Sequence, residues 1–124
     1  MNLSPHLKCD EEAHAKGKIL KFHGEADFLA VPAVRQLLKG LLSHKLPVLI
    51  VDLTEVTFLN TPFWAAMQRY QLDGHPRSRL ALCGMNEALR AAFDINGVGL
   101  DSAEGGCIAV YDNLEAAVKA ASEA

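Results

Sequence analysis

The clearest pattern of hydrophobic and polar positions lies in the middle of the chain. Residues 48–53 form an aliphatic run interrupted only by Asp52, which is typical of a central strand covered on both faces. The polar stretch 54–60 that follows predicts a loop. Thr61 and Pro62 then match a helix N-cap and a proline at the first helical position, so we predict a helix that begins at Thr61.

Helical spacing distributes the apolar side chains of this central helix over two faces. Trp64 and Met67 share one face, which we expect to pack on the sheet. Phe63 lies about 100° away from Trp64 around the helix axis. We therefore expect Phe63 to face solvent or a partner, with Met67 and Tyr70 extending an apolar patch one turn on. These three residues are the predicted partner-binding set.

The N-terminal part of the chain predicts two strands and a helix. Leu7 and Cys9 alternate with polar neighbours, and residues 18–23 alternate more clearly. This pattern predicts an antiparallel hairpin whose second strand ends at Gly24. Apolar residues then recur at three- and four-residue spacings, which predicts an amphipathic helix over residues 32–44.

The C-terminal part continues the alternation of helix and strand. The breaker cluster 73–76 ends the central helix, and residues 80–83 predict a short strand. Asn86 is the predicted N-cap of a helix that stops near residues 96–97. After this helix we expect a loop and then a strand over residues 107–111.

The final helix is predicted to begin with a capping box made by Asp112 and Glu115. Strands that alternate with helices indicate an α/β fold. We therefore predict one α/β domain over residues 1–124, with a mixed, mostly parallel sheet of four to five strands, about four helices and an antiparallel N-terminal hairpin.

Composition narrows the classes of partner. The 124 residues suit one domain, and with 50% hydrophobic and 22% charged residues the composition is that of a globular protein. A net charge of −3 gives no basis for binding a phosphate backbone, so we do not expect nucleic acid as a partner. Neither a signal peptide nor an apolar run of roughly 20 residues is present. We expect a cytoplasmic protein without direct membrane insertion.

Candidate chemical groups are sparse. The cysteines Cys9, Cys83 and Cys107 form no Cys-x-x-Cys pair, so we expect reduced thiols inside the fold. The five histidines are dispersed and form no pair with metal-ligand spacing. No nucleophile elbow and no P-loop occurs. We therefore expect neither an enzyme nor a cofactor or metal site.

One segment carries a family resemblance. The run VDLTEVTFLNT at residues 51–61 resembles the signature of the STAS domain, the module of sulfate transporters and anti-sigma factor antagonists. Residues 24–27 are similar to the family's Gly-x-h-Asp turn, where h is aliphatic, and residues 93–98 and 113–120 to its late segments. The resemblance covers about residues 18–120 and implies a STAS-like fold.

The resemblance implies a non-enzymatic switch module that docks to an anti-sigma factor with a kinase-type ATP-binding domain. The family's phosphoacceptor then corresponds to Thr61, its preceding aspartate to Asn60 and its facing acidic residue to Asp27. Pro62 stands in place of a hydroxyl residue and Phe63 in place of a glycine. Because Asn60 is no carboxylate base and Phe63 obstructs a close approach, we expect Thr61 to be a poor phosphoacceptor.

Three alternatives stay open from the sequence. Thr61 is an ordinary helix cap if it is never modified. The module is an accessory subunit of a membrane transport ATPase if no phosphate is involved. A more remote reading is a receiver-like domain phosphorylated at Asp52, but the acidic pair and lysine that such domains use are missing. The sequence does not fix an oligomeric state, and both a monomer and a weak dimer stay open.

Overall fold

The computed structural model describes residues 1–74, 77–95 and 108–123. Within these residues the strands are β1 (Asn2–Ser4), β2 (Leu7–His14), β3 (Gly17–Ala26), β4 (Val48–Leu59), β5 (Arg79–Cys83) and β6 (Ala109–Tyr111). The helices are α1 (Val31–Leu42), α2 (Thr61–Gly74), α3 (Glu87–Ile95) and α4 (Leu114–Glu123). A single 3-10 turn, Phe28–Ala30, precedes α1.

The six strands form one sheet in the order β1-β2-β3-β4-β5-β6. The pairs β1-β2 and β2-β3 are antiparallel, and the pairs from β3 to β6 are parallel. Each parallel connection returns through a helix, and right-handed crossovers in one direction place α1, α2 and α3 on the same face. The predicted mixed α/β fold with an antiparallel N-terminal hairpin and four helices is confirmed, with more strands than expected.

The sheet is buried on both faces around β4. Leu49, Val51 and Leu53 belong to the larger hydrophobic cluster, which also takes in the buried side chains of α1, α2 and α3. Ile50 points to the opposite face and packs with Ala117 of α4 in a smaller cluster. Alternate residues of β4 thus enter different clusters, which explains why this strand reads as a continuous aliphatic run.

The predicted loop over residues 54–60 is wrong, because β4 continues to Leu59. Its partner β3 likewise continues past Gly24 to Ala26. Two register shifts in the β3-β4 pairing interrupt the alternation, so the exposed polar positions no longer follow a period of two. The structure also adds the short edge strand β1, which the sequence did not predict.

Gly24 is required where the N-terminal turn meets β3. Its φ is +108°, a conformation that side chains rarely adopt, and an added Cβ would lie 2.1 Å from the His6 carbonyl oxygen. The same carbonyl accepts a hydrogen bond of 2.8 Å from the Glu25 amide. The turn between β1 and β2 is therefore held directly against the end of β3.

Two of the later helix caps test the sequence predictions. Asn86 caps α3 as predicted, because its Oδ1 accepts a 2.8 Å hydrogen bond from the Leu89 amide. The capping box at Asp112 is wrong by one residue, since Asn113 Oδ1 accepts from the Ala116 amide at 2.8 Å.

Cys9 and Cys83 are buried free thiols, as predicted. The predictions for His75 and Pro76, for residues 96–106 and for Cys107 lie outside the described residues.

The predicted exposure of Phe63, Met67 and Tyr70 is wrong. Each is only 1% exposed and belongs to the larger cluster. Phe63 packs edge-on against Phe22 of β3, with ring centroids 5.4 Å apart, and burial raises the pKa of Tyr70. Trp64 and Met67 are buried in the cluster that also contains the side chains of β4, as expected for the inward face of the helix. The apolar face of α2 is wider than the spacing argument allowed, because the helix is covered by both β3 and α1.

Replacing Phe63 tests this assignment. We expect Phe63→Ala to lower the free energy of unfolding by about 3–5 kcal/mol, because it removes a fully buried ring and leaves a cavity. Phe58 is a matched control, since its side chain is 50% exposed. Phe58→Ala should cost less than about 1 kcal/mol. Urea unfolding of both variants measures the difference, and equal losses would contradict the burial of Phe63.

Candidate functional site

The carboxyl ends of β3 and β4 meet at the start of α2. Ala26 lies opposite Leu59 in the register of the two strands. The Asn60 amide then donates a hydrogen bond of 3.1 Å to the Ala26 carbonyl. This bond places Asp27, the residue after Ala26, next to the first turn of α2. Ligand sites of parallel sheets commonly lie at this end of the strands.

Asn60, and not Thr61, caps α2. The Asn60 Oδ1 accepts a hydrogen bond of 3.1 Å from the Phe63 amide. Its backbone carbonyl accepts from the amides of Phe63 and Trp64 at 3.1 and 3.4 Å. The predicted N-cap at Thr61 is therefore wrong by one residue, because asparagine at the end of β4 reaches the orphan amides first. Asn60 is 7% exposed, so this cap is part of the buried end of β4.

Thr61 is exposed at the first position of α2 and is followed by half-buried Pro62. The backbone donors around it are few. Pro62 has no amide hydrogen, and the amides of Phe63 and Trp64 already donate to Asn60. A group attached to the Thr61 hydroxyl would find little of the amide nest that usually makes a helix N-terminus attractive to anions.

Asp27 is held in place by its own loop and by the N-terminal turn. Its Oδ1 accepts a hydrogen bond of 3.2 Å from the Leu29 amide, which caps the 3-10 turn. Its Oδ2 lies 2.7 Å from Nδ1 of His6. The hydrogen bond with His6 is the main cause that lowers the pKa of Asp27, and the amides of Leu29 and Ala30 add to it. Asp27 is thus a fixed carboxylate beside Thr61.

His6 was not predicted as a site residue. Its position beside Asp27 depends on the contact of its carbonyl with Gly24 and Glu25, which no local pattern of the sequence announces. The structure therefore brings together Asp27, Asn60, Thr61 and Pro62 of the predicted site and adds His6. It separates Phe63, Met67 and Tyr70 from them as core residues.

Three large apolar side chains are exposed at this end of the sheet. Phe28 and Leu29, in the 3-10 turn after Asp27, are 77% and 64% exposed. Phe58 is 50% exposed and lies opposite Glu25 in the strand register, two residues before Asn60. We call Phe28, Leu29 and Phe58 the apolar patch. The sequence did contain a signal for the exposure of Phe28 and Leu29. These two apolar residues come directly before α1 but are not part of its apolar repeat.

Asp52 occupies a different position, on the sheet face that α4 covers in part. Its Oδ1 accepts hydrogen bonds from the amide and the hydroxyl of Thr54, at 3.1 and 2.5 Å. Burial, with Asp52 nearby, raises the pKa of the Cys83 thiol to about 12. Asp52 is 9% exposed, and its carboxylate is bonded to Thr54. This arrangement does not support the receiver-like alternative, which needs an accessible aspartate.

The described part of the chain contains no group of three or more His, Cys, Asp or Glu residues placed to hold a metal ion. None of the helices there is long and apolar enough to cross a membrane. The polar groups that converge are those around Thr61, so this end of the sheet is the candidate site.

The identity of the cap can be tested by unfolding. We expect Asn60→Ala to lower the free energy of unfolding by about 1 kcal/mol or more, because the Phe63 amide loses a buried acceptor. Thr61→Ala should change it by less than about 0.5 kcal/mol, since the Thr61 side chain is exposed and has no capping role. Chemical denaturation of both variants measures the effects. A larger loss for Thr61→Ala would return the cap to Thr61.

The comparisons with known proteins agree on this architecture. The family model described as STAS domain matches residues 6–117. No curated protein sequence matches the chain. The model match includes both the signature segment of β4 and the end of the sheet where Thr61 lies, and it starts earlier than the resemblance seen in the sequence.

Similar solved structures share the fold at low sequence identity. An anti-sigma factor antagonist from Mycobacterium paratuberculosis is 19% identical over 94% of each chain, with a TM-score of 0.80. The unphosphorylated anti-sigma factor antagonist SpoIIAA is 13% identical over 94% of this chain and 98% of its own, with a TM-score of 0.71. Phosphorylated SpoIIAA from Bacillus is 15% identical over 91% and 98%, with a TM-score of 0.69. Since the family model covers most of its length, the chain belongs to the STAS domain family.

Proposed function

We propose that this protein is a non-enzymatic, cytoplasmic binding module of the anti-sigma factor antagonist type. Its partner is an anti-sigma factor with a kinase-type ATP-binding domain. The observation that carries the proposal is the exposed Thr61 at the start of α2, beside Asp27 and the apolar patch. The neighbouring structures support it, because proteins of this fold include anti-sigma factor antagonists.

The partner docks on the end of the sheet that carries Thr61. The apolar patch offers large exposed side chains there, whereas the apolar side chains of α2 that face inward are buried. Exposed apolar residues surrounded by polar groups are typical of protein-binding surfaces. Asp27 and Thr61 supply the polar neighbours. This surface replaces the predicted partner-binding set on α2.

Thr61 is a poor phosphoacceptor in this proposal. The obstruction predicted for Phe63 does not apply, since its ring is buried against Phe22. Thr61 is a poor acceptor instead because of the backbone at the start of α2 and because of Asn60. Pro62 lacks an amide and Asn60 occupies those of Phe63 and Trp64, so a phosphate would gain few donors. Asn60 also offers no carboxylate for catalysis of the transfer.

The hydrogen bonds that already occupy the amides of Phe63 and Trp64 favour one second candidate function. A STAS accessory subunit of a membrane transport ATPase would use the same end of α2 for binding, and no phosphate would be attached to it. Such a subunit needs no free amide nest at Thr61, which matches the arrangement around Asn60. The two candidates differ in the partner, so a binding assay against each class of protein separates them.

Docking is tested by placing a charge in the apolar patch. We expect Phe28→Asp to weaken binding to the cognate anti-sigma factor about fivefold or more, which corresponds to at least about 1 kcal/mol. The thermal midpoint should stay nearly unchanged, because the ring is 77% exposed. Calorimetric titration of the purified partner measures the affinity.

Ile95→Asp is the matched control for that variant. Ile95 is 84% exposed and ends α3, which starts at the carboxyl end of β5 and runs back along the sheet. Ile95 is not part of the apolar patch or of the first turn of α2, so its replacement should leave binding unchanged. Equal losses in both variants, or no loss in Phe28→Asp, would contradict docking on the apolar patch.

Phosphorylation is tested by mass. We expect that incubation with the cognate kinase and ATP leaves most of the protein at its unmodified mass, because few free backbone amides surround Thr61 to hold the added group. A positive control is a phosphorylatable STAS protein with its own kinase under the same conditions. Stoichiometric addition of one phosphate that disappears in Thr61→Ala would overturn the prediction and indicate an ordinary phosphorylation switch.

A further inference from the structure

A groove between α1 and α2 lies apart from the candidate site. The two helices pack side by side on the larger cluster and leave a space of about 350 Å³ on their outer side. Small side chains of α2, at Ala65 and Ala66, line part of this space and leave it open. Its volume is at the lower end of the range for small-molecule pockets.

The groove combines an apolar floor with positive charge. Leu38, Leu42 and the ring of Tyr70 form the floor. Arg35 and Lys39 stand one turn apart on α1, and both are exposed at the rim. Within residues 1–74, 77–95 and 108–123, neither side chain makes an ion pair with a carboxylate of the chain. On a protein of net charge −3, two adjacent unpaired cations form a local positive site.

The remaining charged residues make the groove electrostatically uneven. Arg69 Nε is 3.1 Å from Asp73 Oδ2, so this pair is internally compensated. Both helices follow parallel strands and run back along the same face, so they point the same way. Arg35 therefore flanks the part of the groove nearer the helix N-termini, Lys39 lies in the last turn of α1, and Asp73 lies near the end of α2. An anionic head suits the rim formed by Arg35 and Lys39 on α1 and is repelled from Asp73 on α2.

We propose that this groove binds a small amphiphilic anion, a free carboxylic acid with an unbranched apolar body. Its carboxylate pairs with Arg35 and Lys39, and its apolar body lies on Leu38, Leu42 and Tyr70. This site has no part in partner docking or in phosphorylation, so it is independent of the proposed function.

Decanoate is the probe, with decanol as its neutral counterpart and decyltrimethylammonium as its cationic one. Each is titrated into the full chain, and backbone amide shifts are followed by two-dimensional NMR. We expect decanoate to shift residues 35–42 and 65–73 in a saturable manner. Decanol should bind about tenfold more weakly, because it loses the charge-assisted bonds, and the cation should bind less still.

Two variants locate the site. Arg35→Glu combined with Lys39→Glu should weaken decanoate binding at least about tenfold, since both attractive charges become repulsive. Ala65→Leu should weaken it by filling the groove from an exposed position. Lys119→Glu, an exposed change on α4 at the other face of the sheet, is the matched control and should bind as the original chain does. Circular dichroism confirms that each variant is folded.

If the charge-reversed variant does not fold, Arg35→Gln combined with Lys39→Gln takes its place, with a smaller loss of decanoate binding expected. The proposal is overturned if decanoate causes no saturable shifts in residues 35–42 and 65–73. It is likewise overturned if decanol binds as tightly as decanoate, or if the charge variants bind decanoate unchanged while Lys119→Glu does too.

Discussion

The parallel ladder between β3 and β4 runs from Gly17 opposite Val48 to Ala26 opposite Leu59, and the other elements are arranged around it. It joins the antiparallel N-terminal strands to the parallel half of the sheet. Because β4 is covered on both faces, its alternate side chains anchor the larger cluster on one side and α4 on the other. The ladder also sets the site, since its last pair brings Asp27 next to Asn60.

The start of α2 shows how one side chain can decide the chemistry of a site. An asparagine at position 60 ends β4, caps α2 and uses the amides that an anion would otherwise approach. Thr61 stays exposed, but few free backbone amides surround its hydroxyl. The family fold is thus kept, while amides in the first turn of α2 donate to the Asn60 cap.

Much of the fold could be predicted from the sequence, because its signals are local. The aliphatic run at residues 48–53, the three- and four-residue spacings of α1 and the Asn86 cap all depend on near neighbours. The continuation of β4 to Leu59 depends on register shifts against β3, which are properties of the pair and not of either strand. A prediction from the periodicity of one chain segment therefore places the end of β4 too early.

The site was predictable only in part, for a related reason. Asp27, Asn60 and Thr61 could be placed because the family signature orders them. The burial of Phe63 could not, because helical spacing gives an angle but not the width of the surface that covers the helix; Phe22 on β3 closes over that ring. His6 reaches Asp27 from 21 residues away, through a contact of backbone with backbone at Gly24.

The hydrogen bond between the Glu25 amide and the His6 carbonyl also provides a local measure of whether the N-terminal turn is in place. The Glu25 amide donates to the His6 carbonyl, so its hydrogen is shielded while the N-terminal turn rests on β3. Lifting the turn exposes this amide and, in the same motion, removes the imidazole from Asp27. The hydrogen-exchange rate of one backbone group therefore reports how often the carboxylate beside Thr61 is released, independently of global unfolding.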